Sequence, residues 1–412
     1  MTGTAMRPLG DKADLRGYPL AHVADALAGM GEKPYRAGQL FRWLHQRGAA
    51  SFEEMTDLPH ELRTRLAERF DLYTLEMVEE HRSGDGTIKW KWRTVDGRFI
   101  ESVYMPHGPG QPPSAPGPED EEDDAPRGRE RRTLCVSSQV GCAIGCTFCM
   151  TGTMGLARNL GPGEIADQVH RANRRLVQLG LGPGPRPLTN LVFMGMGEPL
   201  HNFEALKAAL DLLLDESGPN FSHRHVTVST SGLVPQIRRL GEETQVKLAV
   251  SLNATTDEQR DRIMPINRRF PLRELLAACR AFPMKQGRRI TFEYVLLRDV
   301  NDSDADADRL AQLIGGIPAK VNLIAYNDNP GLGFGAPDPA RVEAFRDRLL
   351  RRNVTAVVRR NRGQDIAAAC GQLAAEGGPG DPRRKKGLPA SSPAALHEPV
   401  PRRPEAPFAP AD

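Results

Sequence analysis

The sequence predicts an α/β protein, a (β/α)6 partial TIM barrel with a small N-terminal helical accessory domain and a β-hairpin extension. Three observations carry that prediction. Strand-like apolar runs alternate with amphipathic stretches six times between residues 133 and 352, the pattern of a parallel sheet covered by helices. Right-handed crossovers would curl such a sheet into a partial barrel, with a flat doubly wound sheet as the alternative. Polar, glycine-marked motifs fall just after the strand candidates, where parallel α/β architectures keep their ligands.

Residues 1–20 are polar and punctuated by Gly and Pro, a loose end. Residues 21–85 form the accessory module: Leu40, Phe41 and Leu44 recur at helical spacing, as do Leu58, Leu62, Leu66 and Phe70. Its polar face carries Arg36, Arg42, His45 and Arg47, either a solvated helix surface or a phosphate-contacting patch. Residues 86–106 alternate as a hairpin around the turn dipeptide Asp96-Gly97. Phe99, Glu101 and Val103 share one face of its second strand. Glu101 is then either a strand-edge carboxylate in solvent or a proton acceptor in a sheltered site.

Residues 107–130 are rich in Pro and Gly and contain the acidic run Glu119 to Asp124. Residues 376–412 are similar, with a basic cluster from Arg383 to Lys386. Neither has enough apolar content to order itself, so they read as a disordered insertion and tail. Residues 131–375 supply the barrel. Its strand candidates are 133–138, 188–194, 225–230, 246–252, 290–297 and 320–325. Helices are expected around 163–180, 203–216, 233–243, 271–286, 303–315 and 338–352.

The chain has 412 residues, with 55 Lys+Arg against 52 Asp+Glu. That balance neither demands nor excludes a nucleic-acid partner. The N-terminus lacks an uninterrupted apolar signal core, and no apolar run is long enough to cross a membrane. The expected location is therefore the cytoplasm. Three of the six cysteines, Cys142, Cys146 and Cys149, sit on one short loop at spacings of four and three. Three thiolates so spaced can ligate three irons of a 4Fe–4S cluster and leave the fourth open. A structural zinc site would want a fourth protein ligand and usually a second CxxC-like pair.

The other motifs cluster at the same strand ends. Gly195-Met196-Gly197-Glu198-Pro199 follows the second strand, Ser229-Thr230-Ser231-Gly232 ends the third, and Ser251-Leu252-Asn253 ends the fourth. Asn327 lies just past the sixth. Gly195 and Gly197 would let backbone approach a ligand closely. Glu198 would accept from a ligand ammonium, while Ser229, Ser251, Asn253 and Asn327 offer neutral hydrogen bonds.

The CxxxCxxC loop resembles the hallmark of the radical S-adenosylmethionine (SAM) superfamily. More specifically, Arg132 to Cys142, the Gly195–Pro199 turn, Ser229–Gly232, Pro265-Ile266-Asn267 and Asp365 to Leu373 resemble the RlmN/Cfr family of RNA methyltransferases. The resemblance runs from about residue 33 to residue 375. It implies one 4Fe–4S cluster on Cys142, Cys146 and Cys149, and two SAM molecules per turnover. It implies SAM contacts from Gly197, Glu198, Ser229, Ser251, Leu252, Asn253 and Asn327, although many members carry histidine where Asn253 stands. The implied reaction is methylation of C2 of adenosine 2503 in 23S rRNA and of adenosine 37 in tRNAs. The Cfr branch methylates C8 instead, and the stretch Val321 to Asn327 looks more like the C2 branch.

Because adenine C2 is electron-poor, such enzymes use a methylated cysteine and a covalent protein–RNA adduct. By resemblance Cys370 carries the methyl, Glu101 accepts the proton, and Cys135 releases the adduct through a transient disulfide with Cys370. Read on its own, Cys370 could be a small buried residue of an alanine-rich helix, and Cys135 a strand core residue. Cys279 matches nothing and is expected in the core. The resemblance also implies a flavodoxin-like electron donor and a monomer. Two other classes stay open: a zinc-containing ribosome-binding protein without enzymatic activity, and a radical SAM enzyme acting on something other than RNA.

Overall fold

The computed structural model describes residues 12–72, 74–107, 130–329, 331–359 and 361–374. The expected insertion and tail fall outside them, apart from His107 and Glu130 at the insertion's edges. One ten-stranded sheet runs through the molecule, and its strand order follows the chain. Its strands are β1 Leu75–Arg82, β2 Ile88–Thr94, β3 Phe99–His107, β4 Arg131–Cys135, β5 Asn190–Phe193, β6 Val226–Thr230, β7 Lys247–Ser251, β8 Ile290–Leu296, β9 Ala319–Ala325 and β10 Ala356–Arg359. Strands β4 to β10 are parallel. Strands β1 to β3 are antiparallel and continue the sheet through β3 against β4, with Val103 opposite Cys135. A strand order that never reverses sends each crossover helix the same way round, which wraps the sheet into an open barrel.

All six expected parallel strands form, and their helices follow. Two features differ from expectation. The parallel set has a seventh strand, β10, and the extension has a third, β1. The four residues of β10 are too short to show a period; pairing with β9 defines them. The Leu75–Arg82 stretch, with three glutamates, has poor intrinsic strand propensity. Cross-strand ion pairs hold it instead, Glu76 with Arg93 and Glu79 with Lys91, while Glu80 reaches Arg175 on the first barrel helix.

The helical module has its own core of Leu15, Leu27, Leu40, Phe41, Leu44, Met55, Leu62 and Leu66, which reaches the barrel at Leu212. Arg16 is buried in the joint. Its guanidinium donates to the carbonyls of Leu44, Ala49 and Leu72 and lies 3.4 Å from Asp167 of helix Pro162–Gln178. His45 belongs here too, not on the exposed face expected from its helical position. It is 1% exposed, and its Nδ1 lies 3.2 Å from His170 Nε2. Docking against the barrel, which helical periodicity within the module does not register, covers His45, while Arg42 and Arg47 of the same face stay exposed.

Candidate active site

The end of β4 is stapled before the cysteines begin. Residues Gln139–Gly141 pair antiparallel with Leu156–Asn159, so the cluster loop leaves and returns at one point. Gly141 is required there, with φ +78° and a would-be Cβ overlapping the carbonyl of Gly155. Inside the loop, Phe148 is buried against Ala254, Ile263, Met264, Leu297 and Tyr326, and Thr147 N–H donates to Ile263 C=O at 3.0 Å. The cysteines are thus held by an apolar anchor and a backbone tie.

Burial pushes the thiols of Cys142, Cys146 and Cys149 up, Cys142 to about 12. Protonated thiols in such a place are poor ligands until a cation displaces their protons. Among the described residues no three His, Cys, Asp or Glu side chains group closely enough to hold a single ion. In a cubane each thiolate ligates a different iron, so its sulfurs need not converge as zinc ligands must. The donor set therefore fits a 4Fe–4S cluster held by Cys142, Cys146 and Cys149.

Beside this loop the strand-end motifs meet. Glu198 is buried, and its carboxylate accepts from Leu200 N–H at 3.1 Å, Ser231 N–H at 2.7 Å and Ser231 Oγ at 2.8 Å. Burial pushes its pKa up against those bonds. The Thr230 hydroxyl bonds to the same carboxylate, so the protein itself supplies donors for about all four of its acceptor positions. Both glycines are needed for packing: a Cβ on Gly195, which also lines the cavity, would strike Ser137 and Val136, and one on Gly197 would lie 2.5 Å from Gln139 Cβ.

Ser229 is buried at the end of β6, and Ser251 is half-buried at the end of β7. Leu252 N–H donates to the carbonyl of Glu293. Asn253 turns into the protein at φ 54°; its Oδ1 accepts from Val295 N–H and its Nδ2 faces Met264 sulfur. Asn327 fits a ligand better. Its Oδ1 accepts from Gln364, while its buried Nδ2 has no partner.

The sequence reading missed Arg260. It is fully buried, and its guanidinium ties Ser231, Ser251 and Leu252 carbonyls to Asn267 Oδ1. Desolvation lowers it to about 10, and both it and Glu198 are close enough to act on the Cys146 thiol. The signal for it was Pro265-Ile266-Asn267, whose asparagine has this arginine as its partner.

A cavity of about 390 Å³ opens next to the cluster loop. Cys135, Cys149 and Cys370 all line it, with Met105, Met194, Thr151, Arg359 and Asn361 among the remaining walls. Cys370 is exposed to it, while Cys135 is 8% exposed. Burial pushes the Cys135 thiol to about 12, and Cys370 is raised for the same reason despite its opening onto the cavity. Cys370 does not sit on a helix. The Gln364–Ile366 turn ends at Ala367, which adopts φ 49°, and residues 367–374 run as an irregular strap. The strap is tied to the cluster loop by Met150 N–H to Gly371 C=O and by Thr151 Oγ1 to Leu373 C=O.

Glu101 is 4% exposed and does not line the cavity, though Val103, on the same face of β3, does. Its carboxylate lies 3.2 Å from Lys89 Nζ and accepts from Ala374 N–H at 2.9 Å. Cys279 is fully buried in helix Leu272–Ala281, as expected.

The chain matches two family models, the ribosomal RNA large subunit methyltransferase N-terminal domain over residues 13–72 and the radical SAM superfamily over residues 136–311. It is 71% identical to a dual-specificity RNA methyltransferase RlmN of Anaeromyxobacter dehalogenans, over 91% of this chain and 95% of that one. A Myxococcus xanthus RlmN is 59% identical, over 84% and 86%. The crystal structure of a radical SAM methyltransferase from Sphaerobacter thermophilus superposes with a TM-score of 0.79 at 48% identity, covering 88% of this chain and 99% of that one.

Proposed function

The chain belongs to the RlmN family of radical SAM dual-specificity RNA methyltransferases, and from that premise we propose that it methylates adenine C2 through Cys370, Cys135 and Glu101. Its substrates are adenosine 2503 of 23S rRNA and adenosine 37 of tRNAs. The observation that carries the reading is that Cys135 and Cys370 share one cavity with the cluster cysteine Cys149. Together the 4Fe–4S cluster and SAM supply a methyl donor and one-electron chemistry beside that cavity.

The chain's own residues do the rest. Cys142, Cys146 and Cys149 hold the cluster. Glu198 takes the SAM ammonium, exchanging one of its hydroxyl donors, Thr230 or Ser231, for it. Asn327 Nδ2 and the Ser229 and Ser251 hydroxyls serve the remaining polar atoms of SAM, with Gly197, Leu252 and Asn253 shaping the wall. Cys370 Sγ, exposed to the cavity, accepts the methyl. That methyl gives up one hydrogen atom to the one-electron chemistry that the cluster and SAM would supply, so that its carbon can bond to C2. Glu101 takes the proton that leaves C2 with the electron pair staying on the ring, and the one electron then in excess on the adduct would return to the cluster held by Cys142, Cys146 and Cys149. Cys135, whose thiol burial keeps protonated, gives up its proton, which the released carbon can take, as its Sγ attacks Cys370 Sγ. The S–S bond forms and the S–CH2 bond breaks. The electron pair goes to the carbon, which takes up a proton and leaves as the methyl group. The two cysteines end as a disulfide, which a reductant must reopen before the next turnover.

No helix among the described residues is long and apolar enough to cross a membrane. The reading has the chain acting as a cytoplasmic monomer served by a flavodoxin-like reductase. Residues 21–85 and 86–106 are then the RNA-facing accessory parts and 131–375 the catalytic domain.

Cys135→Ala tests the order of steps. With release blocked, the protein should purify with RNA bound through Cys370, and digestion should yield a Cys370 peptide carrying one nucleotide. Cys370→Ala should give neither adduct nor product. Ordinary RNA release by Cys135→Ala, or a nucleotide on another residue, would overturn the assignment. Mass mapping of adenosines in RNA from a strain lacking the gene, with and without complementation, should show 2-methyladenosine returning; 8-methyladenosine would move the chain to the Cfr chemistry.

A further inference from the structure

Lys89 lies on β2 opposite Val103 of β3, and it is 8% exposed. Its neighbour along the same strand, Lys91, pairs with Glu79 near the surface. A buried ammonium costs stability unless it is paired, and an apolar side chain would fill the same space more cheaply. Lys89 is paired twice. Its Nζ lies 3.2 Å from Glu101 Oε1 and donates to Ala367 C=O at 3.2 Å. The other Glu101 oxygen accepts from Ala374 N–H. Ala367 and Ala374 flank Cys370 on either side. The ion pair therefore grips both ends of the strap that carries the methyl-accepting thiol, from the strand opposite the cluster loop.

We propose that Lys89 is a positioning residue for the deprotonation of C2. It fixes the Glu101 carboxylate relative to the Cys370 strap, so that the proton acceptor and the transferred carbon reach the same RNA atom together. The inference rests on the assignment of Glu101 as proton acceptor. Glu101 does not itself line the cavity, but Val103 on the same face of β3 does, and the two bonds Glu101 makes leave acceptor positions free for a proton delivered from that side. In that step the C2–H bond breaks, its pair stays on the ring, and the proton ends on a Glu101 oxygen beside the Lys89 cation.

The test compares Lys89→Met, Lys89→Arg and Glu101→Gln in the full chain with reconstituted cluster. Three quantities are read by mass: methylation of Cys370, RNA bound covalently to Cys370, and released methyladenosine. Hydrogen exchange of residues 361–374 is read on the metal-free protein. In Lys89→Met, Cys370 should remain methylated while released product falls roughly a hundredfold, a usual size for a misplaced general base. Covalent RNA should accumulate, and the strap amides should exchange faster. Lys89→Arg should restore most release and clear the adduct. If Lys89→Met does not fold, Lys89→Gln replaces it with the same expectation.

Wild-type release by the uncharged variant would overturn the proposal. So would an equal fall in Cys370 methylation, adduct and product, which is what a purely structural strap contact predicts. If Glu101→Gln turns over normally, the proton-acceptor reading fails. If Glu101→Gln is blocked while Lys89→Met is not, only the role of Lys89 fails.

Discussion

At the joint between the helical module and the barrel, Arg16 spends its guanidinium on three carbonyls and Asp167, and His45 is paired with His170. At the open end of the barrel the same kinds of group are buried with capacity to spare. Asn327 Nδ2 has no partner, and Cys370 opens on a cavity. Burying polar groups costs stability in both places. The joint recovers most of that cost within the protein, although His45 Nε2 and Asp167 Oδ1 have no hydrogen-bond partner there, whereas at the open end Asn327 Nδ2 lacks a partner and Cys370 faces a cavity that a ligand can fill. What separates the two places is the cavity beside the unsatisfied groups, not unsatisfied burial by itself.

The hardest test of that contrast is to remove a cluster ligand. Cys142→Ala, Cys146→Ala or Cys149→Ala should each lose most bound iron and all 5′-deoxyadenosine production, because three thiolates leave no spare ligand. Thermal stability of the metal-free protein should change little. Full activity in any one of them would mean that the open end is not the site of the chemistry.

Arg16→Met attacks the other side of the comparison. It leaves three carbonyls and a carboxylate without their buried donor, a loss of about 3–5 kcal/mol. RNA methylation should fall with the module, while RNA-independent SAM cleavage in the folded fraction should hold near the wild-type level. Parallel loss of both would show that the joint and the site are not separable.

Glu198→Gln keeps the side chain's shape and removes its charge. SAM affinity should drop roughly tenfold, the scale of one charge-assisted hydrogen bond, with iron content unchanged. Loss of iron along with SAM would make Glu198 a structural residue of the joint's kind.

The smallest effect concerns pH at the joint. Burial raises Asp14 to about 7, while burial, with the nearby Arg16 charge, lowers His45 to about 3. A raised acid is buried neutral at no ionisation cost below its ordinary range near pH 4, and the cost grows until the pH passes about 7. Asp14→Asn, which retains an acceptor for Arg16 N–H, should therefore stabilise the protein by about 1–2 kcal/mol at pH 8 and not at pH 4. A lowered histidine works in the opposite sense: its contribution is present above about pH 6.5 and is lost as pH falls towards 3. Thermal melts of wild type and variant across that range check both signs.

Local pattern was enough for six of the seven parallel strands, their helices, the hairpin turn and the three-cysteine loop. These depend on residues a few positions apart, where periodicity and spacing act directly. The spacing of Cys142, Cys146 and Cys149 is legible for that reason, as is the burial of Cys279 on its helix. Other features were decided only by the tertiary structure. The alanine-rich run before Cys370 has helical propensity, yet it becomes a strap because its bonds go to β2, β3 and the cluster loop. Asn253 was read as a ligand contact, but its amide is spent on Val295. His45 was read as surface, but the barrel covers it. Gly195 and Gly197 read as room for a ligand, and the residues after β4 crowd both, with only Gly195 of the two on the cavity wall. Lys89 carried no signal at all, because its partners Glu101 and Ala367 meet it only through sheet register and a strap 278 residues away. A sequence shows which groups could react or bind, but their free capacity depends on long-range neighbours that local periodicity does not encode.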